Sequence, residues 1–195
     1  MLIFRFISNQ CNKFRVQKSS TVHYYFKKMT DPNRPKIKLK LSKIDLFLEI
    51  TGYLAFGGFW ILFLYLYNRL PDVIAIHFGI SGQADRYGSK VSIISLPIIS
   101  TILFIGLTIL NRYPHQFNYL NKITAENAQK HYKMATGFIR YLRLVIVLIF
   151  GCIFFASAQT AQGNKGDLNF WILPFSLLVI VAPTILFLIQ SNKSK

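Results

Sequence analysis

Four separate apolar runs, each about the length of a bilayer crossing, constrain this chain more than any other feature. Residues 46–67 read LFLEITGYLAFGGFWILFLYLY, residues 91–110 read VSIISLPIISTILFIGLTIL, and residues 170–189 read FWILPFSLLVIVAPTILFLI. The remaining run covers 142–158 and extends backward, so its span is drawn at 139–158. Crossing a hydrocarbon core of about 30 Å at about 1.5 Å per residue takes roughly 20 apolar residues. A large soluble helical core would keep polar stripes on its helices, and these runs have almost none. Pro97, Pro174 and Pro183 would break soluble helices, but transmembrane helices tolerate proline better. Only 15% of the residues are charged, against about 25% in a soluble domain. The expected fold is an all-α integral membrane protein with four transmembrane helices and an ordered loop between the first two.

The basic residues set the expected orientation. Eleven precede the first span, from Arg5 to Lys43, whereas residues 68–90 hold Arg69, Arg86 and Lys90, offset by Asp72 and Asp85. The next connection carries Arg112, Lys122, Lys130 and Lys133, with Arg140 and Arg143 just beyond; the last loop has Lys165, and the tail has Lys193 and Lys195. This alternation of rich and poor is the positive-inside pattern for four spans with both termini in the cytoplasm. Trp60, Tyr65 and Tyr67 at the end of the first span, and Trp171 at the start of the fourth, then fall in the outer aromatic belt. A formal net charge of +16, from 23 Lys+Arg against 7 Asp+Glu, can also signal nucleic acid. Here the charge is distributed as a topology signal and contains no recognition module. The partner it implies is anionic inner-leaflet lipid, not nucleic acid.

The chain divides into a basic cytoplasmic segment over 1–45, a membrane region over 46–158 with spans at 46–67, 91–110 and 139–158, and a last part over 159–195. That last part comprises an outer loop, the span at 170–189 and a short basic tail. Residues 1–28 contain no signal-peptide core, and Met29 is an alternative translation start; otherwise the segment is a basic arm on the membrane surface. Cys11 and Cys152 suggest neither a disulfide framework nor a zinc site.

Residues 70–90 read LPDVIAIHFGISGQADRYGSK, more than is needed to join two helices. Pro71 fixes an extended approach, Ile74 and Ile76 alternate with exposed positions, and Gly79, Gly82 and Gly88 permit tight turns. Gly82 and Gly88 are expected at positive φ. Ser89 is placed to cap the second span, and Lys90 to snorkel at the interface.

The ordered set Leu70-Pro71, Ile74, His77-Phe78, Gly82, Asp85 and Gly88-Ser89-Lys90 resembles the signature of a bacterial membrane domain of unknown function related to the SdpI immunity and signalling proteins. The resemblance runs from about residue 46 to 155. It implies that this loop joins the first two helices of a transmembrane set, and that a cytoplasmic Asn/Ala-rich helix, here residues 118–132, follows the second. The family usually has proline where this chain has Ala75. By resemblance, the protein is an immunity or signal-receptor component of the bacterial plasma membrane. Some such proteins protect cells from a toxic peptide and sequester a repressor, so a peptide or a regulatory protein is the implied partner.

The candidate binding residues are Pro71, His77, Phe78, Gly82, Asp85, Gly88, Ser89 and Lys90. His77 and Asp85 are the chemical pair of the outer face. Together they could bind a cation or a peptide, or His77, with an ordinary pKa of about 6.5, could sense pH. The plainer reading has Asp85 accepting backbone N–H bonds in a turn and His77 packed under the loop. Stable zinc sites want three or four ligands, and His23, His115 and His131 fall on the other side, so neither a metal nor a cofactor is expected. Between the second and third spans, Thr124 can cap a helix over 126–140 whose apolar side includes Ala128, Tyr132 and Ala135. It reads either as an interfacial helix on anionic lipid or as a packed elbow. Glu49 is an acid inside a span and therefore a functional candidate, with Lys43 or a lipid headgroup as its commoner partner. No nucleophile–base pair, metal-binding helix or phosphate loop is present, so the expected function is not enzymatic. The alternative is a small transporter or transporter subunit using Glu49 and the span prolines.

Overall fold

The computed structural model describes residues 34–79, 81–163 and 168–193. Met29 and the arm before it, Cys11, His23, Lys165 and Lys195 lie outside the described residues. The helices are α1 (Lys43–Tyr67), α2 (Ser95–Leu110), α3 (Ala128–Ala161) and α4 (Leu168–Lys193). A two-stranded antiparallel hairpin, β1 (Val73–Phe78) and β2 (Ala84–Ser89), joins α1 to α2. Among the described residues, four helices are long and apolar enough to cross a membrane, so the chain is a multi-pass membrane protein. The bundle has a hairpin end and, at the opposite end, a basic end.

The helix starts follow local chemistry. Ser42 caps α1 in a reciprocal capping box with Asp45, which satisfies backbone donors that would otherwise lack partners. Ser89 accepts from the Val91 backbone at 3.3 Å and caps a short 3-10 turn, Lys90–Ile94, that leads into α2. Pro97 lies in the first turn of α2, where its missing N–H removes little. At 34 residues, α3 is about 51 Å long at about 1.5 Å per residue, and so exceeds a bilayer core. Its apolar start is buried in the protein: Ala128 and Tyr132 pack with Ile123, Ile37, Leu39 and Tyr119. The packed elbow is therefore what forms, rather than an apolar face laid on lipid. Thr124 is not its cap, because the helix begins after Asn127. Of residues 118–132, expected as helix, only those from Ala128 onward are helical.

The extended segment before α1 is bound to this elbow. Arg34 donates from Nη1 to the carbonyl of Phe117 at 2.6 Å, and Ile37 and Leu39 face the cluster while Lys36, Lys38 and Lys40 are exposed. Tyr119 donates its hydroxyl to the Pro114 carbonyl at 2.9 Å, and burial holds that phenol above its ordinary pKa.

The main core lies at the hairpin end. It joins Phe59 and Phe63 of α1, Phe104 of α2, and Val147, Phe154 and Ala158 of α3 to Leu70, Ile74 and Ile93. Trp60 points inward as well, donating from Nε1 to Thr101 at 3.1 Å. It packs α1 on α2, unlike Trp171, which is 62% exposed.

By contrast, α4 is peripheral. Ser191 alone among its described side chains is fully buried. Contacts from about its midpoint toward the basic end fasten it to the rest of the bundle. The Tyr141 hydroxyl donates to the Val179 carbonyl at 2.6 Å, Phe138 stacks on Phe187 with centroids 4.4 Å apart, and Asn121 Nδ2 donates to the Ser191 carbonyl at 2.7 Å.

Candidate functional site

The hairpin is anchored on its inner side and carries polar groups on its outer side. Ile74 and Ala75 are fully buried, whereas Ile76 is 41% exposed, so the expected equivalence of Ile74 and Ile76 does not hold. The register explains why. Ala75 pairs with Tyr87 and His77 with Arg86, then Phe78 with Ala84, which leaves Ile76 on β1 and Asp85 on β2 as extra residues. Bulges of this kind re-aim side chains and interrupt alternation. The bulge at Asp85 brings its carboxylate to His77, with Nδ1 and Oδ1 2.5 Å apart. Their side chains are 58% and 53% exposed, so His77 is not packed under the loop.

The other candidate residues frame this pair. The loop closes through hydrogen bonds from Gly79 N to Gln83 O and from Gly82 N to Gly79 O, both 2.9 Å. Gly82 has φ +73°, the left-handed conformation that glycine adopts without strain. Gly88 does not have positive φ. It pairs with Ile74, and a Cβ there would stand 2.8 Å from Ile76 Cδ1. Gly88 thus makes room for the bulged isoleucine instead of forming a turn. Pro71 is exposed at the approach to β1. Lys90, expected to snorkel, instead pairs through Nζ with Asp72 Oδ1 at 3.0 Å, while its backbone N–H donates to the Asp72 carbonyl at 2.9 Å. Phe78, half-buried at the end of β1, reaches a cavity of about 440 Å³ beneath the hairpin, between α3 and α4.

A second polar constellation lies in the half of the bundle nearer the basic end. Arg140 donates from Nε to Glu49 at 3.0 Å and from Nη1 to Asp45 at 3.3 Å. Arg143 donates from Nη1 to Thr108 at 2.9 Å and to Glu49 at 3.3 Å. Glu49 therefore pairs with two arginines of α3 and not with Lys43. Asp45 and Glu49 are four residues apart on α1, and Arg140 and Arg143 three apart on α3, so each pair shares a helix face. The Arg143 side chain is 1% exposed. Its guanidinium carbon sits 5.0 Å from the Tyr53 ring centroid and 4.8 Å from that of Phe104, an attractive placement for a desolvated cation. Gly52 leaves room for the approach, since a Cβ there would lie 3.3 Å from Arg143 Nη2, a tight contact that the guanidinium would have to yield to. Two acids and two arginines cancel in formal charge, which is the condition for burying them at all. Opposite charges at spacings of four and three residues, each keeping its pair on one helix face, are a signal already present in the sequence.

The domain of unknown function DUF1648 matches residues 54–101, a stretch that contains the hairpin and all eight candidate residues. The chain is also similar to an uncharacterized protein of Archaeoglobus fulgidus, 27% identical over 171 residues, which cover 82% of this chain and 87% of that protein. No solved structure matches.

Proposed function

We propose that this multi-pass membrane protein is a non-enzymatic recognition component that acts through its hairpin, in the manner of an immunity or signal-receptor protein. The hairpin faces outward, as the alternation of basic charge predicts, and its partner is a peptide or a regulatory protein. One observation carries this reading: His77 and Asp85 are joined at 2.5 Å yet more than half exposed. Paired bulges aim them outward, and Ile74 anchors the strand beneath them. The fold does not need that pair to bury surface, whereas a binding site needs polar groups held on a rigid support. The transporter reading loses its main residue, because Glu49 is engaged by Arg140 and Arg143.

The test is complementation of a gene deletion with the His77→Ala, Asp85→Ala double variant. The expected result is loss of the complemented phenotype at wild-type protein abundance. Full complementation at that abundance would sink the proposal and leave the hairpin as a structural cap.

A further inference from the structure

The geometry points to a second site, apolar in character and meeting the exposed His77–Asp85 pair only at His77 on its rim: the cavity under the hairpin holds one acyl chain of a phospholipid from the leaflet on the hairpin side. The cavity measures about 440 Å³, within the range of roughly 300–1,000 Å³ typical of small-ligand sites.

Its position follows from how α4 is attached. From Val179 toward the basic end, α4 is fastened to α3 by the Tyr141 hydrogen bond and the Phe138–Phe187 stack. Toward the hairpin end a cavity lies between the two helices, lined from Ile172 to Ile180 on α4 and from Ile149 to Ala156 on α3. At about 1.5 Å per residue, those stretches run about 12 Å and 10 Å along their helices. A single leaflet's hydrocarbon is about 15 Å deep, half of a core of about 30 Å. The gap thus has the direction and depth of a lipid tail. It also opens sideways, since the lining residues Leu173 and Leu177 are 49% and 61% exposed.

The lining identifies the occupant. Its polar side chains are His77, at the hairpin, and Ser176, whose hydroxyl already donates to the Ile172 carbonyl. A peptide inserted here would bring backbone N–H and C=O groups into hydrocarbon with few groups to receive them, at a cost of several kcal/mol for each unsatisfied group. An acyl chain has no such groups. Ile76 and Phe78 of the hairpin line the hairpin end of the gap, so the chain joins its glycerol through the sideways opening past Leu173 and Leu177. This inference does not rest on the peptide-recognition reading, and it survives if the His77, Asp85 double variant is fully active.

Native mass spectrometry of the full chain in detergent with added dipalmitoyl phosphatidylcholine tests it. The wild type should retain one lipid under collisional activation that strips the rest. Ser176→Phe, which fills the gap from a half-buried position, should reduce that retention at least tenfold at unchanged helical content. Leu178→Phe, on α4 but outside the lining, should retain lipid as the wild type does. Equal retention by Ser176→Phe and wild type would overturn the proposal, leaving only annular lipid. So would displacement of the retained lipid by an equimolar unacylated apolar peptide. If Ser176→Phe misfolds, Ala156→Leu fills the same gap from α3, and wild-type retention in that variant, folded, refutes the assignment equally.

Discussion

The hydroxyl of Tyr141 donates to the carbonyl oxygen of Val179, four residues before Pro183 and therefore the acceptor that this proline cannot serve. Proline lacks the N–H that would close the i to i−4 bond, and in hydrocarbon no water replaces it. A side chain of α3 thus repairs a defect in α4, and in doing so sets where the two helices touch.

Tyr141→Phe should accordingly destabilise the protein by about 1–3 kcal/mol, the cost of stranding a buried acceptor. In a Pro183→Ala background the restored N–H satisfies Val179, and the same substitution should cost less than half as much. Reversible unfolding in mixed micelles measures both. An equal cost in the two backgrounds would show that the hydroxyl acts by some route other than the proline.

The charge cluster gives a second prediction. Glu49→Gln should cost about 3–5 kcal/mol, because it leaves two arginines with less than their compensating charge inside the bundle. The quadruple change Asp45→Asn, Glu49→Gln, Arg140→Gln, Arg143→Met removes all four charges together and should cost less than the sum of its single changes. Additivity in the same unfolding assay would contradict a coupled network.

The four spans were legible in the sequence because twenty apolar residues have few other uses. The hairpin was not. Alternation over 73–78 is interrupted at Ile76, its partner strand at Asp85, and three glycines made the stretch resemble turns. Arg140 and Arg143 fit the alternation of basic charge equally well, and only their three-residue spacing, which like the four-residue spacing of Asp45 and Glu49 keeps both on one helix face, marks them as a pair. The link between Tyr141 and Val179 depends on which helices are neighbours, and no pattern within one helix encodes that.

The two motif glycines should behave differently. Gly82→Ala forces a left-handed φ on an L-residue and should cost about 1–2 kcal/mol. Gly88→Ala should cost less, since the nearest obstruction is the terminal methyl of Ile76, which can rotate. Thermal melts of both variants in one detergent decide the order. A larger loss for Gly88→Ala would mean that Ile76 is locked in place.

Orientation is tested by reporter fusions. Those placed after Gly82 and after Lys165 should report the outside, and those after Lys122 and after Lys195 the inside. An inside signal at Gly82 would reverse the bundle and withdraw the hairpin from any extracellular ligand.

The pairing of Asp45 and Glu49 with Arg140 and Arg143 also bears on biogenesis. The first helix emerges from the ribosome with two acids roughly 90 residues ahead of the arginines that neutralise them. A charged side chain resists partitioning into lipid, by up to about 3 kcal/mol at a span's centre. Asp45 and Glu49 lie in the first two turns, where that cost is smaller, so the first helix inserts with its acids near the interface and the arrival of the third draws them into the closed cluster. The fourth, whose apolar stretch has no such debt, can partition on its own and join a bundle that is already closed.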